Sequence, residues 1–385
     1  MNSMGKSVSP PKRYGAYAGL ATLLLVIFGG FFLYPLLTAD GIKGDVIDCA
    51  VVKQKNGANR LWILTDGSLS YISSTKTPGH YSVGRKCVSC KAWLYEYDPV
   101  GGKIVRKIKI PYDDVIMNAN LFCDGDTICQ VSDAYHKNVP KILNYDVNTG
   151  TLVGDTASFT SRHPELAAGI VKVRYDKEKD TLLLDTKDGK KDLTYSLQEK
   201  KFYPSFPKYL EEKRKDSSDA QMFILCEENG QDTRKLLYSV WGKRCDILWN
   251  KSRLEANCEE SMRHLSRHYE GLGVKRLNNS IFLRGSIYQQ DRDGVIIISV
   301  NQVDRKADRI LTCVDREGKI KWKVPQNEMF EEMKIDEDRG YHSGFDGSSN
   351  KIKVLRSGNL VVLMLEGVGV MGFDYATGKK QFTLD

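Results

Sequence analysis

The sequence lacks the signatures of the common catalytic and nucleotide-binding sites. It contains no HExxH zinc motif, no P-loop and no nucleophile elbow. The one glycine cluster, Gly367, Gly369 and Gly372, lies within a strand pattern and does not open a helix, which argues against a dinucleotide fingerprint. No run of Lys and Arg is interleaved with aromatic residues, so nucleic acid is not an expected partner. These absences predict no catalytic residues, no metal site and no cofactor.

Charge is absent from a long N-terminal stretch, residues 14–39, which includes the apolar run 23–28. A helix needs roughly 20 apolar residues to cross the hydrocarbon core of a membrane, so this stretch predicts a transmembrane anchor. A cleaved secretory signal is the alternative. Its apolar core is usually about 7–15 residues and ends in small residues, which Leu37-Thr38-Ala39 match poorly.

The charges around the anchor predict its orientation. Lys6, Lys12 and Arg13 precede it without a neighbouring acidic residue. Because Lys and Arg favour the cytoplasmic side, residues 1–13 are predicted to be a cytoplasmic tail. Residues 40–385 then form an extracytoplasmic domain, periplasmic or at the cell surface, and the protein is a single-pass protein of the cell membrane.

Helical periodicity is scarce after the anchor, where short runs of β-formers end in turn dipeptides. This pattern predicts an all-β domain. Residues 61–65, Asp66-Gly67 and residues 68–72 are typical of a hairpin, because Asp-Gly supplies the positive φ angles of a type I′ turn. Similar turn signals occur at Asp188-Gly189, Asp293-Gly294 and Ser357-Gly358-Asn359.

A repeat underlies these strands: an apolar strand ends in Asp, and Gly follows a few residues later. Asp tolerates the turn and bonds its own backbone, while Gly adopts the left-handed conformation before the return strand. Strand repeats of this spacing predict a β-propeller of about seven or eight blades, at ~45 residues each. The predicted turn residues are Asp98, Asp146, Asp185, Asp315 and Asp374, with Gly318 and Gly378 in the two clearest copies.

Residues 315–322, from Asp315 to Trp322, resemble the repeat of the quinoprotein-like (PQQ-type) β-propellers. Residues 374–382 resemble a second copy, with Phe382 in the place of the tryptophan, whereas residues 203–292 do not match. The resemblance implies a propeller fold. The quinone enzymes of that family hold their cofactor with adjacent cysteines, a tryptophan floor and a calcium site. This chain has no Cys-Cys pair and no matching calcium ligands, so the resemblance does not imply a quinone cofactor.

One segment departs from the β pattern. Ser252 to Glu255 fits a capping box, and Gly271 can end the helix that follows. Apolar residues recur between them at helical spacing. The pattern predicts one amphipathic helix, residues 253–270, inserted into the propeller. Its apolar positions are Leu254, Cys258, Met262, Leu265 and Tyr269.

All nine cysteines follow the anchor, in a compartment where disulfides can form. Cys87 and Cys90 precede a strand rather than a helix, so the low thiol pKa of a redox centre is not expected. A structural disulfide or two inert thiols are predicted there, with a redox or metal site as alternatives. Cys123 and Cys129 flank the turn residues 124–126, and we predict a disulfide that closes this hairpin.

Two further segments invite a metal site. Glu260, His264 and His268 recur at the spacing of ligands on one helix face. The two histidines are nevertheless predicted to lie at the surface or at its rim rather than to bind a metal. Residues 336–340 are acidic and end in glycine. This glycine comes one position early for a calcium loop and no glutamate closes the pattern, so a solvated loop is predicted.

Repeats without a catalytic constellation favour a non-catalytic, membrane-tethered propeller that binds a protein or glycan partner, because propellers present a broad face of variable loops. The alternative is an oxidoreductase or lyase of the quinoprotein-like class, with its site at the central channel. Convergent acidic, His or Trp side chains at the channel would favour the enzyme. An apolar patch on one face would favour the binding protein.

Overall fold

The chain divides into two compact units, residues 1–41 and 42–385. The computed structural model describes residues 41–54, 57–77, 80–89, 91–110, 119–132, 140–177, 179–215, 219–228, 230–269, 271–304, 307–333 and 351–385. The predicted tail and anchor, residues 1–13 and 14–39, lie outside the described residues. Within those residues, no helix has the length and apolar character needed to cross a membrane.

The described residues of the second unit are mostly strands. The strands are β1 (Asp45–Lys53), β2 (Asn59–Asp66), β3 (Leu69–Thr77), β4 (His80–Ser89), β5 (Ala92–Asp98), β6 (Lys103–Ile110), β7 (Asn120–Asp124), β8 (Thr127–Ser132), β9 (Lys141–Asp146), β10 (Leu152–Gly154), β11 (Ile170–Asp176), β12 (Thr181–Thr186), β13 (Leu193–Ser196), β14 (Lys201–Tyr203), β15 (Asp219–Glu228), β16 (Gln231–Lys243), β17 (Gly273–Asp291), β18 (Gly294–Val300), β19 (Arg309–Asp315), β20 (Ile320–Pro325), β21 (Ile352–Ser357), β22 (Leu360–Leu365), β23 (Gly369–Asp374) and β24 (Lys380–Leu384). The helices are α1 (Thr156–Ser161), α2 (Phe206–Lys215), α3 (Arg244–Trp249), α4 (Lys251–Ala256) and α5 (Cys258–Leu265).

Among the described residues, antiparallel sheets form five propeller blades. Blade 1 is β1-β2-β5-β6, blade 2 is β7 to β10, blade 3 is β11 to β14, blade 4 is β17 to β20 and blade 5 is β21 to β24. The all-β propeller is confirmed, but the predicted seven or eight blades are wrong. The predicted blade number assumed that the whole domain consists of repeats. Instead, β3 and β4, which lie between β2 and β5 of blade 1 in the chain, form a separate hairpin, and β15 and β16 extend the sheet of blade 4.

Apolar clusters join most neighbouring blades. They fill the interfaces of blade 1 with blade 2, of blade 2 with blade 3, of blade 4 with blade 5 and of blade 5 with blade 1. Burying one large apolar side chain contributes roughly 1.5–3 kcal/mol, so these clusters hold the ring together. Between the last and first blades, the Gly367 N–H also donates to the Val46 carbonyl at 2.7 Å. Representative buried residues are Trp62, Tyr145, Leu184, Phe373 and Val362.

The Asp-to-Gly repeat occupies the same place in four blades, between the third and fourth strands. In each copy the Asp carboxylate accepts backbone N–H bonds from the turn, and a glycine N–H donates to the Asp carbonyl. The glycine φ angles lie between +64° and +90°. The pairs are Asp98 with Gly102, Asp146 with Gly150, Asp315 with Gly318 and Asp374 with Gly378.

Asp185 has a different position. It lies in the second strand of blade 3, and its carboxylate accepts the Asp192 N–H at 2.9 Å. The equivalent turn of blade 3 instead begins at Ser196, whose hydroxyl accepts the Glu199 N–H at 3.3 Å. Lys200 adopts a φ of +54° in the glycine position. Blade 3 therefore carries a degenerate copy, with Ser for Asp and Lys for Gly, that the sequence pattern missed.

The hairpin predicted across Asp66-Gly67 is wrong, because β2 pairs with β5 rather than with β3. The chain leaves blade 1 after Asp66 to form the hairpin of β3 and β4, and returns at Lys91, whose carbonyl accepts the Gly67 N–H at 2.8 Å. A Cβ atom at Gly67 would lie 2.2 Å from the ring of Trp93. Glycine is needed here for close packing rather than for a turn.

The single helix predicted at residues 253–270 is replaced by two short helices, α4 and α5, which follow α3. Asn257 breaks the run: it has extended backbone angles, and its side chain accepts the Glu260 N–H at 3.1 Å and so caps α5. An Asn side chain that bonds the backbone in this way favours a helix start over a helix interior. The predicted apolar face is nevertheless buried in one cluster with β15 and β16.

Candidate functional site

The first strands of the blades meet at the propeller axis, where β1 contacts β7 and β21. Asp48 of β1 is fully buried. Its carboxylate accepts the N–H groups of Cys49 at 2.9 Å and Leu121 at 2.7 Å. Lys353 of β21 places its Nζ atom 2.8 and 2.9 Å from the two Asp48 carboxylate oxygens. It also donates to the carbonyls of Cys49 and Leu121. Blades 1, 2 and 5 thus share one buried polar network.

Lys177 extends this network to the other blades. It follows β11 of blade 3, and its Nζ atom lies 3.4 Å from Gln289 Oε1 on blade 4 and 3.3 Å from the Val354 carbonyl on blade 5. Lys177 is nevertheless exposed to solvent as a whole residue. Desolvation of the ammonium, followed by repulsion from Lys353, lowers the pKa of Lys177 to about 8. All five blades therefore contribute to the axial network.

The other titratable groups that the structure describes at the axis offer no reactive nucleophile at neutral pH. Burial raises the pKa of the Cys49 thiol to about 12, so the nucleophilic thiolate is scarce at neutral pH. Burial also raises the pKa of Glu366. Within the described part of the chain, neither His nor Trp joins this network, and no group of His, Cys, Asp and Glu is placed to hold a metal ion. The axis consists of polar groups that satisfy one another.

The seam between blades 3 and 4 is built differently from the other four. Successive strand residues point to opposite faces. In β18, Ile296 and Ile298 pack toward blade 5, whereas Val295 and Ile297 pack against β15 and β16. We call β15, β16 and α3 to α5 the added layer. Helix α2 contacts both blade 3 and α3 of this layer. The added layer thus covers the face of blade 4 that would otherwise meet blade 3.

A cavity of about 810 Å³ opens along this seam. We call it the seam groove. It is lined by residues 220–223 and Leu225 of β15, residues 285–292 at and just after the end of β17, Lys177 and parts of α3 and α4. The register of β17 against β18 shifts between Leu283 and Ser286, where Arg284 has a φ of +45°. Apolar side chains line its inner wall, among them Phe223, Leu225 and Ile287.

The seam groove is electropositive. Six of its lining side chains are cationic and two are carboxylates. One carboxylate, Asp291, already accepts two bonds from Arg356, at 2.6 and 2.7 Å. The balance therefore attracts anionic groups. The cationic residues are Lys177, Lys235, Arg244, Lys251, Arg292 and Arg316, and the second carboxylate is Glu255.

The cysteines do not form the expected pair. The hairpin of β7 and β8 is present, but its register places Cys129 opposite Phe122 and Cys123 opposite Ile128. Cys123 and Cys129 consequently point to opposite faces, and both are free thiols, one exposed and one buried. The predicted disulfide is thus absent from this hairpin. The prediction for Cys87 and Cys90 lies outside the described residues, because Cys90 is not among them.

The other candidate ligands are dispersed. His264 and His268 are both exposed, and α5 ends at Leu265, before the second of them. Glu260 instead accepts a bond from the Asn257 side-chain amide at 2.9 Å. Residues 336–340 lie outside the described residues.

No protein-family model and no curated protein matches the chain. Among solved structures, it is similar to the computationally designed Ika8 protein, with 11% identity, 89% of this chain and 88% of that chain covered, and a TM-score of 0.22. It is also similar to the quinohemoprotein alcohol dehydrogenase ADHIIG from Pseudomonas putida HK5 (9% identity, 89% and 67% covered, TM-score 0.25). A third is BamB from Moraxella catarrhalis (11% identity, 88% and 73% covered, TM-score 0.21). Similarity at this level carries no statement about function.

Proposed function

We propose that this chain is a membrane-tethered, extracytoplasmic propeller that binds a protein or glycan partner and does not catalyse a reaction. The seam groove is the observation that carries this proposal. Its volume of about 810 Å³ falls within the ~300–1,000 Å³ typical of binding pockets. An apolar wall with a polar, charged margin is also the usual anatomy of a recognition surface.

The position of the groove supports the same function. Insertions on a rigid scaffold are where binding residues concentrate. The added layer is such an insertion, placed where the repeat pattern of the sequence is absent. The axial groups bond one another, whereas the seam groove is open to a ligand.

The anchor at residues 14–39 would tether the domain to the membrane on the extracytoplasmic side. A membrane-impermeant amine reagent added from that side tests this topology. It should label lysines of the domain, such as Lys103, and leave Lys6 and Lys12 unlabelled until the membrane is permeabilised. Labelling of the tail before the domain would overturn the proposed orientation.

Site-specific photo-crosslinking tests the binding function. In one variant, a photoreactive residue replaces Arg292, which lines the groove. In the control variant, it replaces Val100, a residue on a turn of blade 1 that is itself 91% exposed. In intact membranes, the groove position should yield a discrete adduct that the blade 1 position does not. Identical adduct patterns from both positions, or none from the groove, would contradict the proposal.

The enzyme alternative is favoured by one observation, the Lys177 pKa of about 8 beside a cavity. A neutral lysine amine can attack a carbonyl carbon to give an imine and release water. Borohydride reduction during incubation with a panel of aldehydes and ketones tests this chemistry. A stable adduct on Lys177 that is absent from Lys177→Arg, together with turnover, would support an enzyme, and no adduct would leave the binding function.

A further inference from the structure

The seam groove runs along the outer edge of a terminal strand, where Phe223 and Leu225 are 3% and 4% exposed. In the six-stranded sheet, β15 is the terminal strand, and its one strand neighbour in the described residues is β16. Residues 220–223 and Leu225 of this strand line the groove. At ~3.4 Å per residue, they offer an edge roughly 17 Å long. Unpaired strand edges of this kind are templates for an additional strand.

The direction of the edge groups is fixed by one hydrogen bond. The Phe223 N–H donates to Gln290 Oε1 at 2.8 Å, away from β16. Because alternate residues present their N–H and C=O groups to the same edge, Gln221 and Leu225 also present theirs to the groove. The side-chain amide of Gln290 has the chemistry of a peptide group. It therefore occupies the place that a carbonyl of a neighbouring strand would take.

The charges that line the groove indicate which kind of peptide strand it would bind. Six cationic side chains line the groove, against two carboxylates, of which Asp291 is held by Arg356. Arg292 and Arg316 pair with adjacent acidic residues, at 3.8 and 3.9 Å, in exposed pairs of little energetic weight. Their side chains are 94% and 62% exposed, so they are accessible to a ligand. Because these accessible side chains at the margin of the groove are cationic, an acidic ligand would be complementary to them.

We propose that an extended acidic peptide segment of the partner adds to the free edge of β15 as a further strand. Its carbonyl displaces Gln290 from the Phe223 N–H, and its carboxylates lie against the cationic margin. This inference rests on the proposed binding function and names the class of its partner. Backbone pairing supplies affinity in such complexes, and side chains supply selectivity.

Defined peptides test the proposal with the full-length chain in detergent. The probe is a peptide of alternating Glu and Val, with a Lys and Val peptide as its charge control, titrated by calorimetry. Two further probes carry N-methyl groups on alternate residues, in one register or in the other. Both keep the charge, but each removes the backbone donors of one edge. The acidic peptide should bind, the basic peptide should not, and methylation should abolish binding in one register only.

Protein variants provide the matched controls. Arg292→Glu with Arg316→Glu should weaken peptide binding about tenfold. Lys103→Glu with Lys172→Glu, on exposed surfaces of blades 1 and 3, should leave the affinity unchanged. Gln290→Ala removes the competing acceptor and should tighten binding by roughly threefold. Circular dichroism of each variant checks that the fold is retained.

Three results would overturn the inference: equal binding of both methylated peptides, no effect of Gln290→Ala, or equally tight binding of a heparin-like polyanion. The photo-crosslink from position 292 separates this failure from failure of the proposed function. A partner that crosslinks there but lacks an acidic extended segment would refute strand addition and leave the binding function standing. Absence of any groove adduct would refute both.

Discussion

Lys353 and Asp48 form a buried ion pair at the propeller axis, although 305 residues separate them in the chain. The Lys353 side chain is 12% exposed and the Asp48 side chain is fully buried. Because each group also bonds backbone atoms of Cys49 and Leu121, the pair joins the first, second and last blades. Its contribution is therefore to closure of the ring.

Lys353→Met should destabilise the domain by about 3–5 kcal/mol, since it leaves the Asp48 carboxylate buried and uncompensated. Lys351→Met is the matched control. Lys351 lies 3.9 Å from the same carboxylate but is 41% exposed, so its loss should cost about 1 kcal/mol or less. Urea unfolding monitored by tryptophan fluorescence measures both. Equal effects of the two substitutions would contradict the central role of Lys353.

Lys177 should titrate well below other lysines. A pKa of about 8 makes roughly half of its amine neutral at pH 8, and this fraction sets its rate of acylation. Competitive labelling with acetic anhydride across pH, read by peptide mass spectrometry, gives its apparent pKa. Removing the like charge in Lys353→Met should raise that value. An apparent pKa near that of a free lysine would contradict the account.

The same shift makes stability depend on pH. The folded state binds fewer protons at Lys177 than the unfolded state between pH 8 and the normal lysine range. The free energy of unfolding contributed by this group should therefore rise with pH across that window. Lys177→Met should remove this rise, as measured by urea unfolding at pH 7.5 and 9.5, whereas the exposed-site variant Lys103→Met should retain it.

Thiol alkylation of the folded protein should be confined to one of the cysteines with described side chains. Cys123 is exposed, and its reaction should accelerate at a higher pH than that of an ordinary thiol, because partial desolvation of its sulfur and the nearby Asp124 raise the thiol pKa. The buried thiols should react only after unfolding. Peptide mapping after iodoacetamide treatment without reductant decides the point. If Cys123 were protected from alkylation until reductant is added, the disulfide predicted from the sequence would be supported instead. The buried thiols are Cys49, Cys129, Cys226, Cys258 and Cys313.

Gly378→Ala should destabilise the domain more than Gly102→Ala. Both glycines have a positive φ, +73° and +64°, so each substitution incurs roughly 1–2 kcal/mol of backbone strain. At Gly378 the new Cβ would also lie 2.7 Å from Trp322, whereas Gly102 faces open space. Overpacking typically adds about 1–3 kcal/mol. Equal losses in thermal unfolding would show that Trp322 does not pack on this turn.

The sequence predicted those parts of the fold that residues close together in the chain determine. The turns after Asp98 and Asp374 depend on a carboxylate and a glycine within five residues, and these local signals were sufficient. The blade 3 turn was missed because Ser196 and Lys200 perform the same roles with other chemistry. The disulfide between Cys123 and Cys129 failed on a register difference of one residue, which reverses the face of a strand side chain.

The candidate sites depend on distant contacts. Nothing near Asp48 indicates a partner at Lys353, since the blades must close before the two meet. The seam groove gave only a negative signal, the loss of the repeat between residues 203 and 292. That loss marked an insertion, but the place of β15 beside the end of β17 depends on the pairing of β15 with β16 and of β16 with β17, which no local pattern predicts.

Hydrogen–deuterium exchange of the full-length chain, alone and with the partner recovered through the groove crosslink, tests the central claim most directly. We predict new protection of residues 220–225 and 285–292, with the turn at residues 98–103 of blade 1 unchanged as an internal reference. Protection centred on blade 1 or on the other blade seams, with residues 220–225 exchanging as in the free protein, would contradict the claim that the seam groove is the binding surface.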